Sequence, residues 1–262
     1  MIDNKIKELA TNGFVKFSNV LSNDFCEKLN QSLEKSYVHC REFQINNEVD
    51  QITDGTLHHL LATNDDIYLE VLNKIFDTEI AKLFNTFFES NFIINTYGAV
   101  KNLKSKPSYV SNIHRDIRFF SNGFPLMLQQ IILLDDFTLE NGATFLLSGS
   151  HLSSEKPDSD MFYANASRAL GKRGDVIIFD SNLWHAAGIN QTDIERRALT
   201  INFTKPFMKQ QLDYCRAIGY EKVSSMPDNL KQILGYFSRV PSNLNEWYQK
   251  PENRFYKSDQ DK

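Results

Sequence analysis

The stretch Asn112-Ile113-His114-Arg115-Asp116-Ile117 constrains this chain more than any other. On an extended strand, side chains two apart project the same way, so His114 and Asp116 set an imidazole nitrogen beside a carboxylate oxygen. A second imidazole from a distant strand completes the two-histidine, one-carboxylate set that holds Fe(II) on one face and leaves the opposite positions open. His185, in Leu183-Trp184-His185-Ala186-Ala187-Gly188, is the candidate third ligand, so the fold must carry residue 185 back against residue 114. His-x-Asp alone is a common triplet. Its weight comes from the residues beyond His185.

Eleven residues after His185 stands Arg196, with Gly188, Asn190, Gln191, Thr192 and Asp193 as turn formers between them. The spacing predicts an antiparallel hairpin with His185 opposite Arg196. A planar guanidinium beside a metal site suits a dicarboxylate, which it binds through two parallel hydrogen bonds. Parity separates the adjacent arginines: Arg196, Ala198, Thr200, Asn202 and Thr204 share a small, polar face, and Arg197, Leu199, Ile201 and Phe203 share the other. Arg196 is therefore assigned to a pocket wall and Arg197 to a structural or surface role.

With 262 residues, 41% of them hydrophobic and 24% charged, the chain has the length and texture of a globular protein able to bury a large core. A formal net charge of -4 gives no global attraction to nucleic acid or to an anionic membrane. Cys26, Cys40 and Cys215 are scattered and odd in number, which argues against a disulfide framework or a thiolate zinc cage. The first residues lack the apolar core of a signal peptide, and no stretch approaches the roughly eighteen unbroken apolar residues of a membrane span. A cytoplasmic location is the default expectation.

Along the chain, Ile6 and Leu9 predict a helix over residues 3–12, Asn12-Gly13 a stop, and Phe14-Val15-Lys16-Phe17 a strand. Ser22, Phe25, Leu29 and Leu33 predict a capped helix to about Tyr37, and the polar run from Arg41 to Thr56 a loop, open to a lid role. His58 and His59 read as packing or substrate contacts rather than metal ligands. Residues 65–90 predict one broken or two short helices. From residue 91 the texture is strand-like: Phe92 to Val100, Ser108 to Phe120 with the metal pair, and Leu126 to Leu134, apolar on both faces apart from Gln129 and Gln130. Ala143 to Leu147 and Gly174 to Asp180 are further strands. Helices first and closely spaced strands after predict a β-sandwich or jelly roll flanked by helices. Beyond Pro206 the chain is helical again, with a carboxyl-terminal end expected to fray. The division is thus one domain over 1–262, with amino-terminal helices over 1–90, a jelly-roll core over about 91–205 and a helical extension over 206–262.

Together these pieces resemble the phytanoyl-CoA dioxygenase family of Fe(II)- and 2-oxoglutarate-dependent oxygenases. The matching motifs are His114-Arg-Asp116, Asn141-Gly142-Ala143-Thr144 followed by Ser148-Gly149-Ser150-His151, Trp184-His185-Ala-Ala-Gly188-Ile-Asn190, and Arg196. Their order and spacing match over roughly residues 10–205. The resemblance implies a double-stranded β-helix of cupin type, iron at His114, Asp116 and His185, the distal carboxylate of 2-oxoglutarate on Arg196, and a supporting hydroxyl from Thr144. It implies dioxygen as the second cosubstrate, with succinate and carbon dioxide released. Family halogenases carry a small residue where Asp116 stands, so its presence implies hydroxylation or a related oxidation rather than halogenation. Two positions depart from the pattern: Ala187 where several relatives have serine, and Ser148 where proline is commoner. Ser150 and His151 read as turn residues.

For the substrate, a small molecule, parity places Arg118 on the face of His114 and Asp116, where it would hold an anionic group or merely pair at the surface. Asn95, Tyr97 and Lys101 share a strand face that would line the same pocket or simply pack. The same three ligands would also serve a metal-dependent hydrolase, and a jelly-roll module without chemistry is the third alternative. Oligomeric state is not legible in the chain.

Overall fold

The computed structural model describes residues 2–106 and 109–260. It opens with helix α1 (Ile2–Asn12), which stops at Gly13, and strand β1 (Phe14–Phe17). Helix α2 (Asn23–Asn46) is capped by Ser22, whose Oγ accepts the Phe25 N–H at 3.3 Å. It runs well past Tyr37, so much of the segment expected as a loop from Arg41 is helix. No residue of the helix beyond Ser36 is buried, Val38, Phe43 and Ile45 included, which is why the apolar pattern fades before the helix does. Strand β2 (Thr56–Leu57), helices α3 (Ile67–Phe76) and α4 (Ile80–Phe88), and strands β3 (Ile93–Asn102) and β4 (Met127–Leu133) come next. Then come β5 (Phe145–Leu146), α5 (Ser159–Asn165), β6 (Ser167–Arg168), β7 (Val176–Asp180), β8 (His185–Ala186) and β9 (Arg196–Thr204). Helices α6 (Tyr214–Ile218), α7 (Tyr220–Ser224), α8 (Asp228–Ile233) and α9 (Leu244–Trp247) close the chain.

The strands form two antiparallel sheets, one ordered β1-β7-β4-β9-β3-β2 and a smaller one ordered β6-β5-β8. Strand β4 is central and buried along its whole length, as its two-faced apolar run requires. Between the sheets lies an inner core of Ile131, Leu133, Phe137, Leu146, Ile177, Phe179, Leu183 and Ala198. The outer face of the large sheet packs on the helices through a larger core running from Leu9 to Leu234, which includes Leu199, Ile201 and Phe203 of β9. Two facing antiparallel sheets with helices against one side make a jelly roll.

Three local expectations fail. The segment 109–120 is no strand: a 3-10 turn spans Tyr109–Ser111, and one isolated bridge joins His114 to His185. The start of that expected strand, at Ser108, lies outside the described residues. With only the two-residue β8 as neighbour, the segment has no ladder long enough to hold it extended. His185 and Arg196 do not face each other across a hairpin, since β8 belongs to the small sheet and Arg196 pairs with Asn102 in the large one. The carboxyl-terminal end is anchored rather than frayed as far as Gln260, which is 2% exposed and accepts hydrogen bonds from Gln232 and Ser238.

Candidate metal centre

His114 and Asp116 come from the irregular segment, held by reciprocal backbone bonds of 3.0 Å between His114 and His185 and by the Ile117 N–H on the Ser181 carbonyl at 3.3 Å. This bridging brings the two histidines together, their ring centroids 4.1 Å apart. Each imidazole lies with Nδ1 on a backbone carbonyl two residues earlier: His114 on Asn112 at 2.7 Å and His185 on Leu183 at 2.9 Å. A carbonyl can only accept, so Nδ1 carries the proton in both rings and Nε2 is the atom that offers a lone pair when the ring is neutral. The Asp116 Oδ1 sits 3.8 Å from the His114 Nε2 and 3.6 Å from the His185 Nε2.

The three donor atoms lie within 4.8 Å of one another, and no other such trio converges among the described residues. Metal bonds of about 2 Å put neighbouring ligands about 3 Å apart, so each carboxylate contact is within an ångström of the separation an ion would impose. Two further features fit a cation. Burial pushes the Asp116 carboxyl up to about 6 against the pull of His114, and its Oδ2 is buried without a hydrogen-bond partner. Burial also holds His185 well below its ordinary value, assisted by His114 and opposed by the Leu183 carbonyl, so its imidazole is neutral and free to ligate.

The three residues line a cavity of about 680 Å³ that extends between the sheets to Arg196. Arg196 is 3% exposed. Its Nη1 donates to the Gly142 carbonyl at 2.7 Å, its guanidinium lies 4.1 Å from the Phe137 ring centroid, and its Nε has no partner. Among the described residues no carboxylate lies within ion-pair distance of it. Burial, with Arg168 nearby, pushes the guanidinium down to about 9, which still leaves it charged at neutral pH. Gly142 has φ +77°, and a Cβ there would stand 2.4 Å from the Gly188 carbonyl oxygen, so only glycine lets its own carbonyl face Arg196 in this way.

Parity places the arginines as expected. Arg196, Ala198, Thr200 and Asn202 line the cavity, and Arg197 makes a two-pronged ion pair with Asp135 through Nε at 2.9 Å and Nη2 at 3.0 Å. Thr144, 6% exposed, lines the cavity, and Ala187 and the exposed Arg118 line it too. His58 also reaches it, with Nε2 at 3.2 Å from the Tyr109 hydroxyl, while His59 bonds Tyr214. Ser150 Oγ accepts the Trp184 N–H at 2.9 Å and His151 Nε2 contacts the Ala10 carbonyl at 3.1 Å, both fixing turns.

Tyr97 is misplaced by the sequence. It lies fully buried in the outer core and donates to the Tyr68 carbonyl at 3.2 Å, while Asn95 donates to Lys209 and Lys101 pairs with Glu34 and Glu195. A register shift between Ile94 and Thr96 sets the parity of β3, so Thr96, Gly98 and Val100 face the cavity instead. Reasoning from sequence also passed over Phe137, and it treated Gln129 as an exception in an apolar strand. The adjacent amides Gln129 and Gln130 in such a run were the available signal, although only Gln129 faces the cavity.

The family model for phytanoyl-CoA dioxygenase (PhyH) matches residues 9–198. The chain belongs to the phytanoyl-CoA dioxygenase family. Among the relatives it matches, the uncharacterized protein Rv1501 of Mycobacterium tuberculosis is 40% identical over 157 residues, 60% of this chain and 58% of that protein. The iron/alpha-ketoglutarate-dependent dioxygenase penM of Penicillium thymicola is 33% identical over 96 residues, 33% of this chain and 30% of that protein. The chain thus spans less than two thirds of the length of the curated relatives it matches. The crystal structure of AviO1 from Streptomyces viridochromogenes superposes with a TM-score of 0.58 at 21% identity, covering 79% of this chain and 96% of that one, which establishes a shared fold.

Proposed function

We propose that this chain is an Fe(II)- and 2-oxoglutarate-dependent dioxygenase that hydroxylates a C–H bond of a small metabolite, with release of succinate and carbon dioxide. The observation that carries this reading is Arg196. A buried guanidinium without a carboxylate partner is costly unless an anion joins it, and this one shares its cavity with a two-histidine, one-carboxylate cluster. Family membership and the name of the Penicillium relative support the same pairing of metal and 2-oxo acid.

In this reading His114 and His185 hold the iron through Nε2 and Asp116 through Oδ1, each imidazole kept in the ligating tautomer by its carbonyl. Arg196 receives the far carboxylate of 2-oxoglutarate, with Thr144 beside it and the Phe137 ring fixing the guanidinium plane. Bound iron, 2-oxoglutarate and dioxygen together supply the oxidising power, and the chain supplies position and shelter from water. The apolar wall of Ile131, Phe137, Phe179 and Ala198 provides that shelter on the large-sheet side. Retention of Asp116 favours hydroxyl transfer over halogenation.

Anaerobic addition of Fe(II) and 2-oxoglutarate should give a weak visible charge-transfer band that His114→Ala and Asp116→Ala abolish. Screening metabolites by mass spectrometry should then find a gain of one oxygen coupled to succinate release. A hydrolase using these ligands would show no such band, and a module without chemistry no succinate. Absence of both signals overturns the reading.

A further inference from the structure

The cavity has a second half, away from Arg196. One row of paired residues crosses the large sheet as Phe179, Gln129, Asn202 and Thr96, and all four line the cavity. The row starts beside the metal cluster, because the Phe179 ring centroid lies 4.7 Å from that of His185. Along β9 it stands about 20 Å from Arg196 at the usual rise per residue. Gln129 is 7% exposed, and the side-chain oxygens of Gln129 and Asn202 are buried without a hydrogen-bond partner. Native proteins rarely leave such amides unpaired, and at a cavity wall the missing partner is whatever fills the cavity, a position that a donor group of a ligand can take from water.

The charges point the same way. A divalent ion and Arg196 are balanced by Asp116 and the two carboxylates of 2-oxoglutarate. Arg115 is already matched: it donates to the Ser153 carbonyl, stacks 4.4 Å from Trp184 and is offset by the nearby Asp180 carboxylate. Burial holds His58 below its ordinary value, so it is neutral. Arg118 is left over: exposed, lining the cavity, and in no ion pair among the described residues. One unmatched positive charge suits one carboxylate rather than a doubly charged phosphate.

We infer that this half of the cavity binds a small polar monocarboxylate, with its carboxylate on Arg118 and its hydroxyl or amide groups against Gln129, Asn202 and Thr96. The inference rests on the oxygenase reading, which gives the Arg196 half to the cosubstrate. An acyl chain in the same place would bury two amides against hydrocarbon, and the wall rejects it for that reason.

The test uses protein loaded with Ni(II) and N-oxalylglycine, which fill the metal and Arg196 half without turnover. Calorimetric titration with D-gluconate and N-acetyl-L-serine should show binding by at least one, with D-glucose and decanoate about tenfold weaker or worse. Arg118→Gln should weaken the bound acid about 10- to 150-fold, the loss of a charge-assisted bond. Gln129→Leu should weaken it too while raising Tm by about 2–4 °C, because a buried amide oxygen without a partner is removed. Gln130→Leu, on the opposite face of β4, should raise Tm and leave binding unchanged. Decanoate binding tighter than the polar acids, glucose binding as well as gluconate, unchanged affinity in Arg118→Gln, or no binding by either acid at millimolar concentration overturns the inference alone. Failure to load N-oxalylglycine overturns the oxygenase reading and this inference with it.

Discussion

Arg196 keeps a positive charge at a nearly buried position in the cavity wall, and its protein neighbours supply only a carbonyl and an aromatic face. Replacing it should therefore act in opposite directions on binding and on stability. Arg196→Met is expected to weaken 2-oxoglutarate about 100-fold in calorimetry, from losing a two-pronged charged contact, and to raise the Tm of the unliganded protein. Unchanged cosubstrate affinity in that variant would place the dicarboxylate elsewhere. The thiols give a second check on the same physics. Burial pushes Cys26 up to about 11 and Cys215 up to about 12, so below those values the reactive thiolate is scarce. At pH 8 a thiol reagent should leave both unlabelled in the native protein and modify them once denaturant is added; mass spectrometry of the adducts reads the outcome.

The elements carry two further consequences. Strand β4 presents Gln129 to the cavity and Gln130 to the outer core, where neither of the Gln130 amide atoms finds a partner. Gln130→Leu should stabilise the fold by about 1–3 kcal/mol in urea unfolding, the cost of that unpaired amide. At the start of α2, Ser22→Ala should cost about 1 kcal/mol by the same measurement, since the Phe25 N–H loses its acceptor. Element by element, what the sequence revealed depended on how many neighbours each segment had. Strand β9 reads correctly because its two faces meet different surroundings, a polar cavity and an apolar core. Strand β3 misleads because both its faces are buried and its bulge resets the alternation, which sent Tyr97 to the wrong side.

At the level of the whole molecule, the outer core draws Tyr214, Ile218, Val223, Leu230, Ile233 and Leu234 from beyond the sheets and packs them with Leu9, Val15 and Leu29. Each such buried side chain contributes roughly 1.5–3 kcal/mol, against a total stability of roughly 5–15 kcal/mol for a typical domain. A chain ending at Pro206 should therefore fail to show in calorimetry the cooperative thermal transition expected of residues 1–262. No helix among the described residues is long and apolar enough to cross a membrane. The sequence by itself pointed to His114, Asp116 and His185 by residue identity and to Arg196 over its neighbour by strand parity, while the strand parity assumed for His114 and Asp116 does not apply, since that segment is no strand. Only the tertiary structure decided that His185 and Arg196 belong to different sheets and meet across the space between them, that a bridge rather than a strand holds His114, and that Gln129 and Asn202 stand side by side. Those contacts join segments far apart in the chain, and local alternation carries no information about which distant strand will supply the opposite wall.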